Sequence, residues 1–394
     1  MQATPSRVTA GQVVTATGLA GALTAVWLVL LPHAPFAGGD AFHYLNMALE
    51  PKAPAETPYA FRVLTPWLAH QLGGNSYPGY NTMFRVITAA ALAAAGPATY
   101  LICRRLGGTH LAGLVGVAGL LSLPGWLFNL YQPYLIDPVA MALTAWCTAA
   151  VLHGWTRVLP LLLTAAALAR ETTLWLVAPL YLTLRRRWID LGTAGSVLLL
   201  MGPAILAMWA ARQAQRVTGW PTVGELTAVG WKTVVDQRLT TDPVGWLALA
   251  FAASLGMWWV LGLYGRRSAG RLWWFLIPVF AQFALGADWS RFALYAFPVV
   301  VPAGVLAIWT HPARAAFLAL IGIQSVAALV DVAVGGKLYL NETPPSAWIA
   351  AGLAACAVLV WHAPARWWRR GADPARAGTD EEVSPAVPAA PTAS

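Results

Sequence analysis

Apolar runs about as long as a membrane-spanning helix recur along almost the whole chain. A helix needs about 20 mostly apolar residues to cross a bilayer. Only 10% of the 394 residues are charged and the mean hydropathy is +0.59, whereas soluble domains carry about a quarter charged residues. The sequence therefore predicts an all-α polytopic membrane protein. The predicted spans lie near 11–31, 83–103, 110–127, 135–153, 191–211, 243–264, 272–287, 292–310, 314–333 and 346–363.

The stretch 158–184 is predicted to form two further, shorter membrane helices. Its apolar halves are each too short to cross a bilayer alone, and Arg170 and Glu171 separate them. One continuous helix would carry both charges at its midpoint, which is costly in hydrocarbon. We expect a helix pair that turns at these two residues, which brings the total to about twelve membrane helices, including these two short ones.

The basic residues predict the orientation of these helices. Arg outnumbers Lys 22 to 3, and many Arg residues fall in short clusters between apolar runs. By the positive-inside rule, both chain ends lie inside, with long outer loops at about 32–82 and 212–242. The run after Arg7 is expected to be a retained first span rather than a cleaved signal. Residues 1–370 form one transmembrane domain, and 371–394 form a disordered cytoplasmic tail.

The net charge of +9 does not indicate a nucleic-acid-binding protein, because the Arg clusters follow the topology pattern. The sequence has no phosphate-binding glycine loop, no HExxH motif and no regular Cys and His spacing for a metal. We therefore predict no bound cofactor, although a divalent cation is left open. If the protein is an enzyme, its catalytic groups are therefore single carboxylates and arginines near the outer ends of the spans.

The first outer loop contains the segment GGDAFHY and, further on, PYAFRVL. A helix starting here places Asp40, His43 and Tyr44 on one face. Asp40 is predicted either to cap that helix or to act as a general base at the membrane surface. Arg62, beside Tyr59, is either an interfacial anchor or a forked phosphate ligand.

Three later positions also carry charges that topology does not explain. Asp137 begins a span, where it is either a helix cap or a site residue. Arg170 and Glu171 either neutralise each other or contact a lipid phosphate. Asp288 and Arg291, three residues apart in an outer turn, either form an ion pair that tightens the turn or belong to the same site.

These features resemble the type C glycosyltransferases, multi-span enzymes that use polyprenyl-phosphate sugars. Members of that family carry an acidic residue in a long first outer loop, and Asp40 in GGDAFHY occupies that place. The stretch LLLTAAALARETTLWLVAPLYLTLRRR is similar to a second family feature, with Arg170 in the basic position. This loop has a lone Asp40 where many members carry paired acids.

The resemblance implies an inverting hexosyl- or pentosyltransferase in a bacterial inner membrane, with its site facing outside. The donor is a polyprenyl-phosphate sugar, the acceptor is an envelope lipid, glycan or protein, and membrane lipids surround both. The implied base is Asp40, the implied donor-phosphate ligands are Arg62, Arg170 and Arg291, and the implied substrate contacts are His43, Tyr44, Asp137, Glu171 and Asp288. A transporter or flippase for a lipid-linked or anionic solute is the alternative function.

Overall fold

The computed structural model is helical, with no strand among the residues that it describes. Those residues are 8–31, 40–51, 59, 62–74, 76–184, 189–214, 231–232, 234–236, 240, 242–283, 289–335 and 345–364. The predicted tail 371–394, Asp288 and most of the second outer loop lie outside these ranges.

The described residues of the first half of the chain form ten α-helices. They are α1 (Ala10–Leu30), α2 (Asp40–Leu49), α3 (Leu64–Gly73), α4 (Tyr77–Arg105), α5 (His110–Leu121), α6 (Pro124–Tyr131), α7 (Asp137–His153), α8 (Leu159–Ala169), α9 (Val177–Leu184) and α10 (Leu191–Ala214). A 3-10 helix, Glu171–Leu176, joins α8 to α9. The segment between α1 and α4, which is predicted to be the first outer loop, thus carries two short helices, α2 and α3, and the sequence predicts the one that begins at Asp40.

From residue 242 onward, the described residues form eight more α-helices, several of them short. They are α11 (Pro243–Leu255), α12 (Trp258–Tyr264), α13 (Arg266–Ala269), α14 (Ile277–Phe283), α15 (Trp289–Leu294), α16 (Phe297–Trp309), α17 (Arg314–Gly335) and α18 (Pro345–His362). A 3-10 helix, Gly270–Leu276, precedes α14.

Local sequence sets where several of these helices begin and bend. The Thr9 and Ser76 side chains accept hydrogen bonds from first-turn amides of α1 and α4, which would otherwise lack partners. The chain bends by 97° between α11 and α12, at Gly256. Gly256 has φ +59°, and an added Cβ there would overlap the Gln324 side chain, whose Oε1 accepts from the Met257 amide at 2.7 Å.

The helix α4 lies at the centre of the first half, where it packs against α1, α5 and α7. The helix α7 packs in turn on α8, and α8 packs on α10. In the second half, α16 is almost entirely buried and packs against α12 and α5. These contacts set α4, α7 and α16 in the interior, while few residues of α1 and α10 are buried.

The long apolar helices lie where the sequence predicts membrane spans, but fewer of them than predicted are long enough to cross a membrane. Within the described ranges, three helices, α1, α4 and α10, are long and apolar enough to cross a membrane, and five spans result if two bent pairs each count as one. The predicted total of twelve is not confirmed. The predicted span 110–127 is a pair, α5 and α6, bent by 53°. The helix α4 begins at Tyr77, before the predicted 83, because Ser76 caps it there.

Candidate active site

Asp40, the first residue of α2, lies in a cluster of charged side chains at the end of the bundle where α4 and α7 begin. Its carboxylate accepts a hydrogen bond from the Tyr59 hydroxyl at 3.0 Å and another from Arg291 Nη1 at 2.7 Å. The His43 ring stacks on the Tyr59 ring, with their centroids 4.1 Å apart. Asp40 is therefore fixed from two sides by a neutral donor and a charged donor.

Arg291 joins Asp40 to a second carboxylate, that of Asp137. Arg291 Nη2 and Nε donate to Asp137 Oδ2 at 2.7 and 3.1 Å. The other oxygen of Asp137 pairs with Arg170 and accepts from the Tyr295 hydroxyl at 3.1 Å. The predicted cap at Asp137 is wrong: Ile136 occupies the cap position of α7, and the Asp137 carboxylate serves two guanidinium groups.

Arg62 and Glu171 form the second part of the cluster. Arg62 Nε and Nη2 donate to the two oxygens of Glu171 at 2.8 and 2.7 Å, in the forked geometry typical of a guanidinium on a carboxylate. Arg62 Nη1 donates to the Tyr44 hydroxyl at 2.7 Å. Arg62 is 7% exposed, so the interfacial-anchor interpretation is wrong.

Arg170 and Glu171 do not neutralise each other, since each pairs with a different element. The helical chain breaks at Arg170, whose backbone is extended (φ −159°, ψ 125°), as the sequence predicts. This break lets two adjacent side chains diverge, one toward Asp137 and one toward Arg62.

The cluster is electrically balanced and graded in exposure. It contains three carboxylates and three guanidinium groups: Asp40, Asp137, Glu171, Arg62, Arg170 and Arg291. The Arg170 and Asp137 side chains are 4% and 1% exposed, whereas that of Asp40 is 30% exposed. Because burial of unpaired charges is very costly, the buried pair requires this balance. Asp40 is the carboxylate of the cluster most open to a ligand.

The charged neighbours control proton binding in the loop residues. Burial by itself raises the pKa of Asp40, but the charge and hydrogen bond of Arg291, together with the Tyr59 hydroxyl, lower it below its ordinary value of 3.8. Burial and the adjacent Asp40 carboxylate raise the pKa of Tyr59, so the phenol keeps its proton and donates. Asp40 is thus an anion at neutral pH.

The described residues do not form a metal site. No group of three or more His, Cys, Asp or Glu gathers among them closely enough to hold an ion. Asp40, Asp137 and Glu171 each bond instead to a guanidinium, which already satisfies their charge.

The structure brings together eight of the nine residues predicted from the sequence, and the ninth, Asp288, lies outside the described residues. Sequence reasoning missed two tyrosines as site residues, Tyr59 and Tyr295. The sequence spacing of each tyrosine from a predicted site arginine could have indicated it. Tyr295 follows Arg291 by four positions, one helical turn, and Tyr59 precedes Arg62 by three.

The fold and the site together define a class: a helical membrane protein in which the short helix α2, between α1 and α4, brings a carboxylate to a cluster of buried arginines. No family model and no curated protein sequence matches this chain.

Two solved structures share its fold. The structure of ArnT from Cupriavidus metallidurans, bound to undecaprenyl phosphate, matches with a TM-score of 0.57 and 17% identity, over 90% of this chain and 73% of that one. The Archaeoglobus fulgidus oligosaccharyltransferase in its apo form matches with a TM-score of 0.50 and 13% identity, over 92% of this chain and 55% of that one. The chain therefore has the type C glycosyltransferase fold, as the resemblance predicts.

Proposed function

We propose that this protein transfers a sugar from a polyprenyl-phosphate donor to an envelope lipid, glycan or protein acceptor at the outer face of a bacterial inner membrane. The observation that carries the proposal is the partly exposed Asp40 carboxylate, held beside three arginines on this fold. The undecaprenyl phosphate bound to ArnT indicates the donor class.

Asp40 is the proposed general base. Its carboxylate takes the proton from an acceptor hydroxyl as that oxygen attacks the anomeric carbon. The lowered pKa keeps Asp40 ionised and ready to accept a proton. A strong base is not needed, because the hydroxyl becomes acidic as its oxygen bonds to carbon. One displacement on the face opposite the phosphate inverts the anomeric centre.

The arginines are the proposed stabilisers of the leaving group. When the glycosidic bond breaks, the polyprenyl phosphate gains negative charge, which fixed cations in a site with little water stabilise strongly. Arg62 uses three of its five N–H groups in the hydrogen bonds described above, so it retains donors for phosphate oxygens, and the Arg291 guanidinium adds a fixed positive charge beside Asp40. Arg170 lies deeper and supports Arg291 through their shared Asp137.

The remaining predicted residues are proposed substrate contacts. His43, Tyr44, Glu171, Asp137 and Asp288 bind sugar hydroxyls or orient the arginines. Tyr44 and Asp137 are completely buried, so orientation of Arg62 and Arg291 is their proposed task.

The test is a transfer assay with purified protein, labelled polyprenyl-phosphate sugars and envelope extract as acceptor, with release of polyprenyl phosphate as the readout. We expect Asp40→Asn to lower turnover by about 10²- to 10⁴-fold, the usual contribution of a general base. Undecaprenyl phosphate should still raise the melting temperature of that variant. The matched control is Glu50→Gln, which changes an exposed acid at the end of the same helix and should leave turnover unchanged.

Full turnover in Asp40→Asn would exclude Asp40 as the base. Movement of a lipid-linked sugar across sealed vesicles, without any covalent product, would replace the transferase with the transporter alternative.

A further inference from the structure

A cavity of about 500 Å³ lies at the end of the bundle opposite the charged cluster. The helix α7 connects the two places, because its first residue, Asp137, belongs to the cluster and its last, His153, lines the cavity. At a rise of about 1.5 Å per residue, α7 separates them by about 24 Å. This opposite-end cavity is therefore distinct from the proposed active site.

The wall of the opposite-end cavity is basic. Arg104 and Arg105, from the last turn of α4, and His153 line it, and no lining residue that the structure describes is acidic. Arg105 Nε donates to the Leu152 carbonyl at 2.7 Å, and His153 Nε2 lies 3.2 Å from the Leu101 carbonyl. The ends of α4 and α7 thus bond to each other's basic side chains, which fixes both groups at the wall.

Arg105 has unused donors at this wall. Its single hydrogen bond to a described residue comes from Nε, so both terminal nitrogens of the guanidinium remain for a ligand. An arginine presents these nitrogens in a plane that matches two oxygens of a phosphate.

The beginning of α1 adds to the positive potential. Thr9 and Ala10 line the cavity, and the first turn of α1 contains no acidic residue. The N-terminal end of a helix carries partial positive charge, which favours an anion. The arginines and this helix end therefore both favour the binding of an anion in the cavity.

Two tryptophans and an apolar helix face border the same cavity. Trp146 and Trp155 line it, and Trp155 is 41% exposed. Val13 of α1 also lines it, and the adjacent Val14 is 70% exposed. Tryptophan is enriched at the head-group level of membranes. The cavity thus combines cationic groups with an apolar border suited to an acyl chain.

We propose that the opposite-end cavity binds a phosphate-bearing anion, and that the head group of an anionic phospholipid is its occupant. A soluble phosphate is the other source of the same chemistry. This site does not depend on the proposed glycosyl transfer.

The experiment measures binding of phosphatidylglycerol, phosphatidylcholine and inorganic phosphate to the purified full chain in detergent, by native mass spectrometry and by thermal unfolding. We expect phosphatidylglycerol to bind and to raise the melting temperature. Phosphatidylcholine should do neither, because the positive choline of its zwitterionic head group cancels the charge of the phosphate. Arg105→Ala should weaken phosphatidylglycerol binding about tenfold, the loss expected for one charge-assisted hydrogen bond. The matched control is Arg267→Ala, an exposed arginine of α13 that does not line the cavity.

Selective weakening by Arg105→Ala supports the site. Inorganic phosphate that binds with the same dependence on Arg105 and competes with the lipid also supports it, and assigns a soluble source. Equal losses in Arg105→Ala and Arg267→Ala would overturn it, because net charge would then explain the binding. Equal binding of the two lipids, without phosphate binding, would also overturn it. Should Arg105→Ala fail to fold, Arg105→Lys carries the test with a loss of about threefold, since it keeps the charge and loses the fork.

Discussion

Arg291 Nη1 lies 2.7 Å from Asp40 Oδ2, although the two residues are 251 positions apart in the chain. The same guanidinium donates to Asp137, the first residue of α7. Arg291 therefore holds α2 against the interior of the bundle. This contact brings the proposed base to the arginines that are proposed to stabilise the leaving phosphate.

We expect Asp137→Asn to destabilise the protein by about 3–5 kcal/mol, the usual cost of removing one partner from a buried ion pair. Arg170 and Arg291 both lose their shared counter-charge, and Arg170 is only 3% exposed. Thermal unfolding in detergent measures the change. The control is Asp242→Asn, in the exposed cap of α11, where Asn caps nearly as well as Asp. Similar melting temperatures for the two variants would contradict the structural importance of Asp137.

The fork between Arg62 and Glu171 predicts strong coupling between these residues. Arg62→Met and Glu171→Leu should each destabilise the protein, because each leaves one charge unpaired in a buried site. The double variant should lose less unfolding free energy than the sum of the two single losses, by about 0.5–3 kcal/mol. Tyr44→Phe removes one hydrogen bond to Arg62 and should cost only about 1 kcal/mol. Additive losses in the cycle would show that the pair is not formed in solution.

The lowered pKa of Asp40 predicts how its contribution to stability depends on pH. Arg291 and Tyr59 stabilise the ionised carboxylate, so the folded protein binds its proton less readily than the unfolded chain. The stabilisation is complete above the ordinary Asp pKa of 3.8, which the unfolded chain retains, and is lost as pH falls through the lower pKa of the folded protein. The difference in melting temperature between the wild type and Asp40→Asn should shrink over that range. If the difference in melting temperature grew on acidification instead, folding would raise the pKa of Asp40 rather than lower it.

The close approach of α5 to Trp258 predicts a steric effect at Gly119. An added Cβ there would lie 2.3 Å from the Trp258 ring, which is fully buried. Gly119→Ala should therefore destabilise the protein by about 1–3 kcal/mol. Gly18→Ala, on α1 with nothing within 4 Å of its Cβ, should be neutral or stabilise by up to about 1 kcal/mol. Thermal unfolding of the two variants compares them directly, and equal effects would contradict this packing.

The sequence by itself determined the helical membrane class and pointed to most of the residues that meet in the charged cluster. A long apolar run that crosses a bilayer as a helix makes all its backbone hydrogen bonds within itself. Charged side chains at the ends of such runs are costly to desolvate, so their presence indicates a function or a partner. For the same reason the break at Arg170 was predictable, since one helix through two midpoint charges is costly.

The pairing of the charges depended on the tertiary structure alone. Glu171 is the sequence neighbour of Arg170, yet Arg170 pairs with Asp137, and Arg291 bonds to Asp40, which lies 251 positions away. Ion pairs in a buried site follow from which helices pack together, and α2, α7 and α15 meet only in the folded bundle. The hydroxyls of Tyr59 and Tyr295 became site groups for the same reason, because each reaches a carboxylate that lies on another element.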